Sequence, residues 1–250
     1  MSFLKRFLQS FMSVFGLKIT KISTGVSTNR QHLTHFSHNG TDREWQQIAM
    51  YCSVMNQVAN VPGDFAEFGV AGGTSLSAFA RLINVFDPYK TNKIAKRKLY
   101  GFDTFEGLPF FDAEKDSGVS VPNDMKKGGF NSSLEYNSLL DWTKKYDFIK
   151  LYKGTFDKTL DKFFEENKHA SFALIHIDCD LHQSTIDALK PTIERLNVGG
   201  IILFDEIFHM QYPGETSGFF EVYNGLPKNF TLEFVRLESM PWKWYAVRKS

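Results

Sequence analysis

The sequence predicts an α/β domain in which helices cover both faces of a mostly parallel sheet that ends in an antiparallel hairpin. Apolar runs of strand length alternate with helical patterns from residue 43 onward. The runs FALIHI (172–177) and IILF (201–204) are apolar throughout, as in strands that are covered on both faces. The last two runs, TLEFVRLE (231–238) and KWYAVRK (243–249), alternate between apolar and polar residues, which is typical of a hairpin at a sheet edge.

The composition supports one domain with a substantial core, since the chain has 250 residues and is 42% hydrophobic. A formal net charge of +1 gives no electrostatic case for a nucleic-acid partner. Cys52 and Cys179 show no metal-binding spacing, which favours free thiols in a reducing, cytoplasmic compartment. No apolar run reaches the length of a membrane span.

Residues 1–42 are predicted to form an extension, an amphipathic helix followed by a polar loop, before the domain of residues 43–250. The apolar face of this helix comprises Phe3, Leu4, Phe7, Leu8, Phe11, Met12 and Phe15. Packing on the domain or against a second subunit is the favoured interpretation, so we expect a homo-oligomer. The alternative is weak membrane contact through residues 1–18.

The remaining elements follow in order from residue 43. The predicted helices and strands before the central unit are a helix (43–60), a strand, Gly-rich turn and helix (64–86), a strand (98–105), a helix (133–146), a strand (149–156) and a helix (158–168). A long segment rich in Gly, Pro and Asp separates the second strand from the helix at 133. Because long loops in compact domains are usually functional, we expect it to border the substrate entrance.

Acidic residues follow the two central strands where each strand ends. Asp178 and Asp180 follow FALIHI, and Asp205 and Glu206 follow IILF. A helical crossover of roughly twenty residues joins the runs, so the strands should be parallel neighbours that end at one ligand-binding edge. Converging carboxylates favour a hard cation such as Mg²⁺ or Ca²⁺. The alternative is that these are ordinary acids at strand ends, without a metal. His176, inside the run FALIHI, is expected to be a core histidine whose hydrogen bonds are satisfied.

A Gly-rich turn follows the first strand in the run EFGVAGGTS. Gly69 and Gly73 allow close approach of a ligand, and the helix N-terminus at Ser75 can hold an anion. The turn departs from the dinucleotide pattern G-x-G-x-x-G. Glu67 suits a ligand with cationic or donor groups, and Asp103 ends the second strand, where nucleoside-binding sheets hold a ribose diol.

The order of elements resembles the Rossmann-like sheet of class I S-adenosylmethionine-dependent methyltransferases. EFGVAGGTS is similar to the cofactor turn of metal-dependent O-methyltransferases. GFDTFEGLP (101–109), HIDCDLHQSTIDAL (176–189) and GGIILFDE (199–206) are similar to the macrocin O-methyltransferase (TylF-like) family of sugar O-methyltransferases. The resemblance covers roughly residues 43–249 and leaves out the N-terminal extension.

The resemblance implies methyl transfer from S-adenosylmethionine to the hydroxyl of a small-molecule or glycoconjugate sugar, with Mg²⁺ as a second cofactor. The implied cofactor-binding residues are Glu67, Gly69, Gly73, Ser75, Asp103, Gly154, Thr155, Phe156 and Asp178. Asp178, Asp205 and Glu206 match the metal-ligand positions, although the family usually has Asp-Asp where Asp205-Glu206 stands here. Asp180 matches the general base, and His182, which replaces a tyrosine, is a second catalytic candidate.

This chemistry requires an acceptor oxygen that is aligned with the methyl group and deprotonated. A metal that chelates neighbouring hydroxyls would orient the acceptor and lower its pKa. Asp180 lies two residues after Asp178 and is therefore expected to face the same side of the strand. Three alternatives remain: a catechol-type phenolic O-methyltransferase, a non-catalytic S-adenosylmethionine-binding protein, and a nucleotide-dependent oxidoreductase. The carboxylate set argues against the second, and the missing G-x-G-x-x-G against the third.

Overall fold

The computed structural model of the protein describes residues 41–86 and 97–250. The strands are β1 (Asp64–Phe68), β2 (Leu99–Asp103), β3 (Ile149–Lys153), β4 (Phe172–Ile177), β5 (Leu196–Phe204), β6 (Leu232–Arg236) and β7 (Trp244–Arg248). They form one seven-stranded sheet in the order β3-β2-β1-β4-β5-β7-β6. Strands β1 to β5 pair in parallel, and β7 runs antiparallel to both β5 and β6. The predicted mostly parallel sheet with its C-terminal hairpin is confirmed.

Helices cover both faces of this sheet, as predicted. The described α-helices are α1 (Asp42–Val58), α2 (Thr74–Phe86), α3 (Ser133–Thr143), α4 (Phe156–Glu166), α5 (His182–Leu189) and α6 (Pro213–Tyr223). Side chains of α1, α2 and α3 bury one apolar cluster against the sheet, and those of α4, α5 and α6 bury the other. Helix α1 begins with a capping box, in which Thr41 Oγ1 accepts from the Glu44 amide and the Thr41 amide donates to Glu44 Oε2.

The third strand is shorter than predicted. It ends at Lys153 because Gly154, with φ +143°, leaves the extended conformation. Thr155 then occupies the N-cap of α4, and Phe156 is the first residue of that helix. The two residues that were expected at a strand end therefore lie at a helix start, still at the carboxyl edge of the sheet.

Residues 104–132 contain neither helix nor strand, in agreement with the predicted long loop. None of the described helices is long and apolar enough to cross a membrane. Cys52 and Cys179 are both free thiols. The predicted amphipathic helix falls outside the described residues, so its packing, its membrane contact and the division at residue 42 stay predictions, as does the homo-oligomer.

Candidate active site

A cavity of about 690 Å³ opens where the parallel strands end. Its wall includes residues from the Gly-rich turn, from the ends of β2 and β5, from the start of α4 and from the segment after β4. The predicted site residues that line it are Gly69, Ser75, Asp103, Thr155, Phe156, Asp178, Asp180, Asp205 and Glu206. Glu67, Gly73, Gly154 and His182 are not among the lining residues. One cavity therefore contains most of the predicted cofactor positions together with all the predicted metal ligands.

The turn after β1 packs directly on the end of β4. Gly69 has φ +94°, and a Cβ at this position would lie 1.6 Å from the carbonyl oxygen of Asp178. The Gly69 amide donates to the Phe102 carbonyl, and the Asp178 amide donates to the Phe68 carbonyl. Only glycine combines this backbone conformation with so close an approach. The Gly-rich turn and the first acidic residue are thus built against each other.

Asp103 fixes the shape of the same turn. Its Oδ2 accepts from the amides of Val70 and Ala71 at 2.7 and 2.8 Å. Its Oδ1 accepts from the Phe105 amide at 2.6 Å. A carboxylate that binds backbone amides on both sides ties the end of β2 to the Gly-rich turn. The predicted contact of Asp103 with a ribose stays a prediction.

Glu67 lies beneath the turn and not on the cavity wall. Its side chain is fully buried in β1, and its Oε1 accepts a 2.5 Å hydrogen bond from Ser75 Oγ. Burial raises the pKa of the Glu67 carboxyl well above its usual range. Glu67 therefore positions Ser75 at the start of α2. Its predicted contact with the cofactor stays a prediction.

The acids after β4 and β5 lie side by side because the Asp205 amide donates to the Ile177 carbonyl and continues the β4–β5 pairing. Single ligand atoms of His176, Asp178 and Asp205 lie within 4.8 Å of one another. Burial raises the pKa of Asp178 to about 6, although nearby Lys243 opposes the shift. Burial and the charges of Asp180 and Asp178 raise the pKa of Glu206 to about 8.

Asp180 reaches the cavity by a different route from the one predicted. Strand β4 ends at Ile177, so side-chain alternation along the strand does not place Asp180, and that reasoning was wrong. Asp180 has φ +61°, a conformation that aspartate tolerates better than most residues. Burial, followed by the charge of Asp178, raises the pKa of Asp180 to about 7. Within the described part of the chain, its carboxylate accepts no hydrogen bond.

The structure does not bring His182 to the acids. Its Nδ1 lies 2.7 Å from Ser217 Oγ, and its Nε2 lies 3.1 Å from Glu221 Oε2 and 2.9 Å from Lys115 Nζ. The ring borders a separate cavity of about 230 Å³. The ring of His182 points away from the main cavity and contacts Ser217 and Glu221 on α6. These contacts hold the start of α5 against α6. The predicted share of His182 in the base role has no geometric support.

His176 differs from the expected satisfied core histidine. It is 2% exposed and packs edge-on against Phe79, but its Nδ1 has no hydrogen-bond partner among residues 41–86 and 97–250. Burial lowers the pKa of His176 to about 3, so the ring is neutral and keeps a lone pair. Its place two residues before Asp178, near the end of β4, is the signal that identifies it as a further candidate ligand.

Lys243 and Glu215 are site residues that the sequence pattern did not reveal. Lys243 Nζ contacts Asp205 Oδ1, and the side chain is buried at the end of the hairpin. Glu215 is fully buried at the start of α6, and its Oε1 accepts from the Glu206 amide at 3.1 Å. Burial raises the pKa of Glu215 well above its usual range. Glu215 thus fixes the backbone that presents Glu206.

The donor set fits a hard divalent cation. Carboxylate oxygens of Asp178 and Asp205 converge, the carboxylate of Glu206 lies on the same cavity wall, and the neutral ring of His176 adds a nitrogen. Partly buried acids that are so close repel one another unless a cation balances them. Lys243 is the feature that opposes metal binding, because its ammonium group contacts one of the converging carboxylates.

Asp116 anchors the long loop beside the cavity. It is 1% exposed, and its Oδ1 accepts from the His182 amide at 2.8 Å while its Oδ2 accepts from the Asp112 amide at 2.9 Å. We expect Asp116→Ala to lower the free energy of unfolding by about 1–3 kcal/mol in urea titration, because it leaves a buried donor unpaired. The control Glu114→Ala removes an exposed carboxylate from the same loop and should change stability by less than about 0.5 kcal/mol. Equal stability of the two variants would contradict the anchoring role.

Comparison with known proteins gives a consistent family. Residues 35–231 match the family model described as Macrocin-O-methyltransferase (TylF). The 8-demethyl-8-(2,3-dimethoxy-alpha-L-rhamnosyl)-tetracenomycin-C 4'-O-methyltransferase of Streptomyces olivaceus is 28% identical over 188 residues, which cover 66% of this chain and 65% of that relative. The chain thus spans less than two thirds of the length of this curated relative.

Solved structures give the same result. The calicheamicin methyltransferase CalS11 has 27% identity and a TM-score of 0.68, with 82% of this chain and 79% of that chain covered. Its apo structure, described as a TDP-rhamnose 3'-O-methyltransferase, has 25% identity and a TM-score of 0.62 over 98% of this chain and 93% of that chain. The O-methyltransferase NovP, at 20% identity and a TM-score of 0.57 over 82% and 80% of the two chains, shares the fold.

Proposed function

Because this chain belongs to the macrocin O-methyltransferase (TylF) family, we propose that it transfers a methyl group from S-adenosylmethionine to a sugar hydroxyl. The observation that carries this proposal is the single cavity that joins the Gly-rich turn and Asp103 to the acids after β4 and β5. Its volume of about 690 Å³ lies in the usual range of ligand sites, which is about 300–1,000 Å³. A methyl donor and an acceptor can therefore meet within one cavity.

The cofactor half of the proposed site is built on the turn after β1. Gly69 lets the turn approach the β4 end, and Ser75 lies on the cavity wall at the start of α2. The N-terminal amides of this helix suit the cofactor carboxylate. Asp103 lies at the end of β2, where a ribose diol is held in related sheets. Thr155 and Phe156 line the same cavity from α4 and would border the adenine.

The acidic half of the proposed site would hold Mg²⁺ through Asp178, Asp205 and Glu206. The convergence of the first two carboxylates supports this assignment. Glu215 supports Glu206 by accepting a hydrogen bond from its backbone amide. When bound, S-adenosylmethionine would supply the electrophilic methyl group, and Mg²⁺ would supply a chelating centre for the acceptor hydroxyl and the oxygen on the neighbouring carbon.

Asp180 is the proposed general base. Its carboxylate lines the cavity beside Asp178 and accepts no hydrogen bond from the described residues, so it is free to accept a proton from the acceptor hydroxyl at a carboxylate oxygen. Gly214 packs tightly against the backbone of Asp180: a Cβ at Gly214 would lie 2.5 Å from the Asp180 carbonyl oxygen and 2.6 Å from Asp116 Oδ1. This packing restricts the backbone conformation of Asp180. A fixed backbone reduces the conformational freedom that the base must lose before it acts.

The proposed acceptor is a rhamnose-type sugar whose reacting hydroxyl has an oxygen, as a hydroxyl or a methoxy group, on the neighbouring carbon. The tetracenomycin relative is named for methylation of a rhamnosyl group, and CalS11 is described as a TDP-rhamnose methyltransferase. Phe110, Phe130 and Tyr212 line the same cavity here and provide apolar surfaces on which one face of a pyranose ring can pack.

A methyl-transfer assay with labelled S-adenosylmethionine and Mg²⁺ tests this function. We expect label to pass to TDP-rhamnose or to a rhamnosyl glycoside, and transfer to fall on addition of EDTA. A matched deoxy sugar without an oxygen on the carbon next to the reacting hydroxyl serves as the control and is expected to react poorly, because it cannot chelate. Transfer to catechol but to no sugar would contradict the proposed acceptor class.

A further inference from the structure

Lys243 is a buried cation within the acidic half of the site, and its role extends the proposed metal site on which this inference rests. The side chain is 6% exposed. Its Nζ contacts Asp205 Oδ1 and lies 3.3 Å from the Asp205 carbonyl oxygen. The ammonium group therefore binds one of the carboxylates that would also bind Mg²⁺.

The sheet register places Lys243 at this point. Strands β5 and β7 pair antiparallel with Phe204 opposite Trp244, so the residue before β7 faces the residue after β5. The Lys243 amide donates to the Met240 carbonyl at 2.8 Å, and the Leu237 amide donates to the Lys243 carbonyl at 3.1 Å. These bonds fix the backbone of Lys243, while its flexible four-carbon stem leaves the charged end able to move.

Electrostatic interactions extend beyond this one contact. Besides contacting Asp205, the positive charge of Lys243 opposes the rise in the pKa of Asp178 and of Asp180. The positive charge of Arg43, which is exposed at the start of α1, lowers the pKa of Glu206 and that of Lys243. Without a metal, Lys243 is the buried basic group that balances the converging acids. With a divalent cation among the same acids, its charge would add repulsion at short range.

We infer that Lys243 is a tethered counter-ion that holds Asp205 in the metal-free enzyme and must leave that carboxylate when a divalent cation binds. The ammonium group and the metal compete for the same oxygen, so the lysine lowers metal affinity. In exchange, it keeps the ligand carboxylates together before the metal enters. The lysine thereby sets the concentration of free Mg²⁺ at which the enzyme becomes loaded.

The test is calorimetric titration of Mg²⁺ into the full-length wild type and the Lys243→Met variant. We expect the variant to bind Mg²⁺ at least about tenfold more tightly, equivalent to about 1.4 kcal/mol. We also expect Mg²⁺ to raise the Tm of the variant more than that of the wild type, because the uncompensated acids gain more from the metal. The control Lys249→Met removes a lysine paired with Glu233 on the exposed hairpin and should bind Mg²⁺ as the wild type does.

Equal or weaker Mg²⁺ affinity in Lys243→Met would overturn the inference, and it would leave the metal site intact if Asp178→Asn still abolished binding. Absence of Mg²⁺ binding in both proteins, with S-adenosylmethionine binding retained, would instead show that the metal part of the proposed function fails and that this inference fails with it. If the methionine variant does not fold, Lys243→Gln keeps a polar end without the charge and carries the same expectation.

Discussion

The Asp180→Asn variant is expected to lose methyl transfer by about 10²- to 10⁴-fold, the usual contribution of a positioned general base. Asparagine has nearly the same shape and tolerates the positive φ of this position, so the fold should persist. Because the cofactor half of the cavity is built from other residues, binding of S-adenosylmethionine should stay close to that of the wild type. Single-turnover rates with labelled cofactor and saturating sugar, together with a calorimetric affinity for the cofactor, measure both quantities.

The control for this variant is Asp141→Asn, which changes an exposed acid of α3 that pairs with Lys144 just after the helix. It should leave both the rate and the cofactor affinity unchanged, since exposed ion pairs contribute little. Wild-type turnover by Asp180→Asn would remove Asp180 from the base role and would direct attention to the other acids of the cavity.

Gly69→Ala is expected to weaken cofactor binding strongly and to destabilise the fold. The added Cβ would meet the Asp178 carbonyl at 1.6 Å, and the residue would also keep an unfavourable φ of +94°. The main chain must therefore move, at a cost of at least about 1–3 kcal/mol for the backbone conformation alone. The movement displaces the Gly-rich turn and the start of the acidic segment together. We expect affinity for S-adenosylmethionine to fall at least about 100-fold, or about 2.7 kcal/mol.

Gly72→Ala separates backbone strain from the loss of a glycine as such. No atom lies within 4 Å of a Cβ at Gly72, and its φ is not positive. Its free energy of unfolding in urea should differ from that of the wild type by less than about 0.5 kcal/mol. A Gly69→Ala protein that is as stable as Gly72→Ala and still binds the cofactor would show that the close approach to Asp178 is not required.

The sequence predicted the sheet and the acidic edge because both depend on local patterns. FALIHI and IILF are apolar throughout and are separated by a helical crossover, which determines parallel neighbours that end together. The same reasoning brought Asp178 and Asp205 to one place, as the structure has them. Gly69 was also identified, although the reason for glycine there, the carbonyl of Asp178, requires the folded chain.

The remaining site residues depend on tertiary geometry that no local pattern encodes. Lys243 reaches Asp205 only through the antiparallel register of β5 and β7, which is set by strands that are distant in the sequence. The rotation of α5 turns His182 toward Ser217, and neighbouring positions in a motif cannot predict that direction. The position of Asp180 depends on its left-handed backbone conformation, whereas the sequence analysis expected the strand to continue to this residue.

Calorimetric titration of S-adenosylmethionine into the purified protein, once with Mg²⁺ and once with EDTA, tests the central claim most directly. The account predicts cofactor binding in both conditions, because the Gly-rich turn and Asp103 form the cofactor half of the cavity without the acids that would hold the metal. Absence of binding in both conditions would contradict the account, because the cavity at the ends of the parallel strands would then not be a cofactor site.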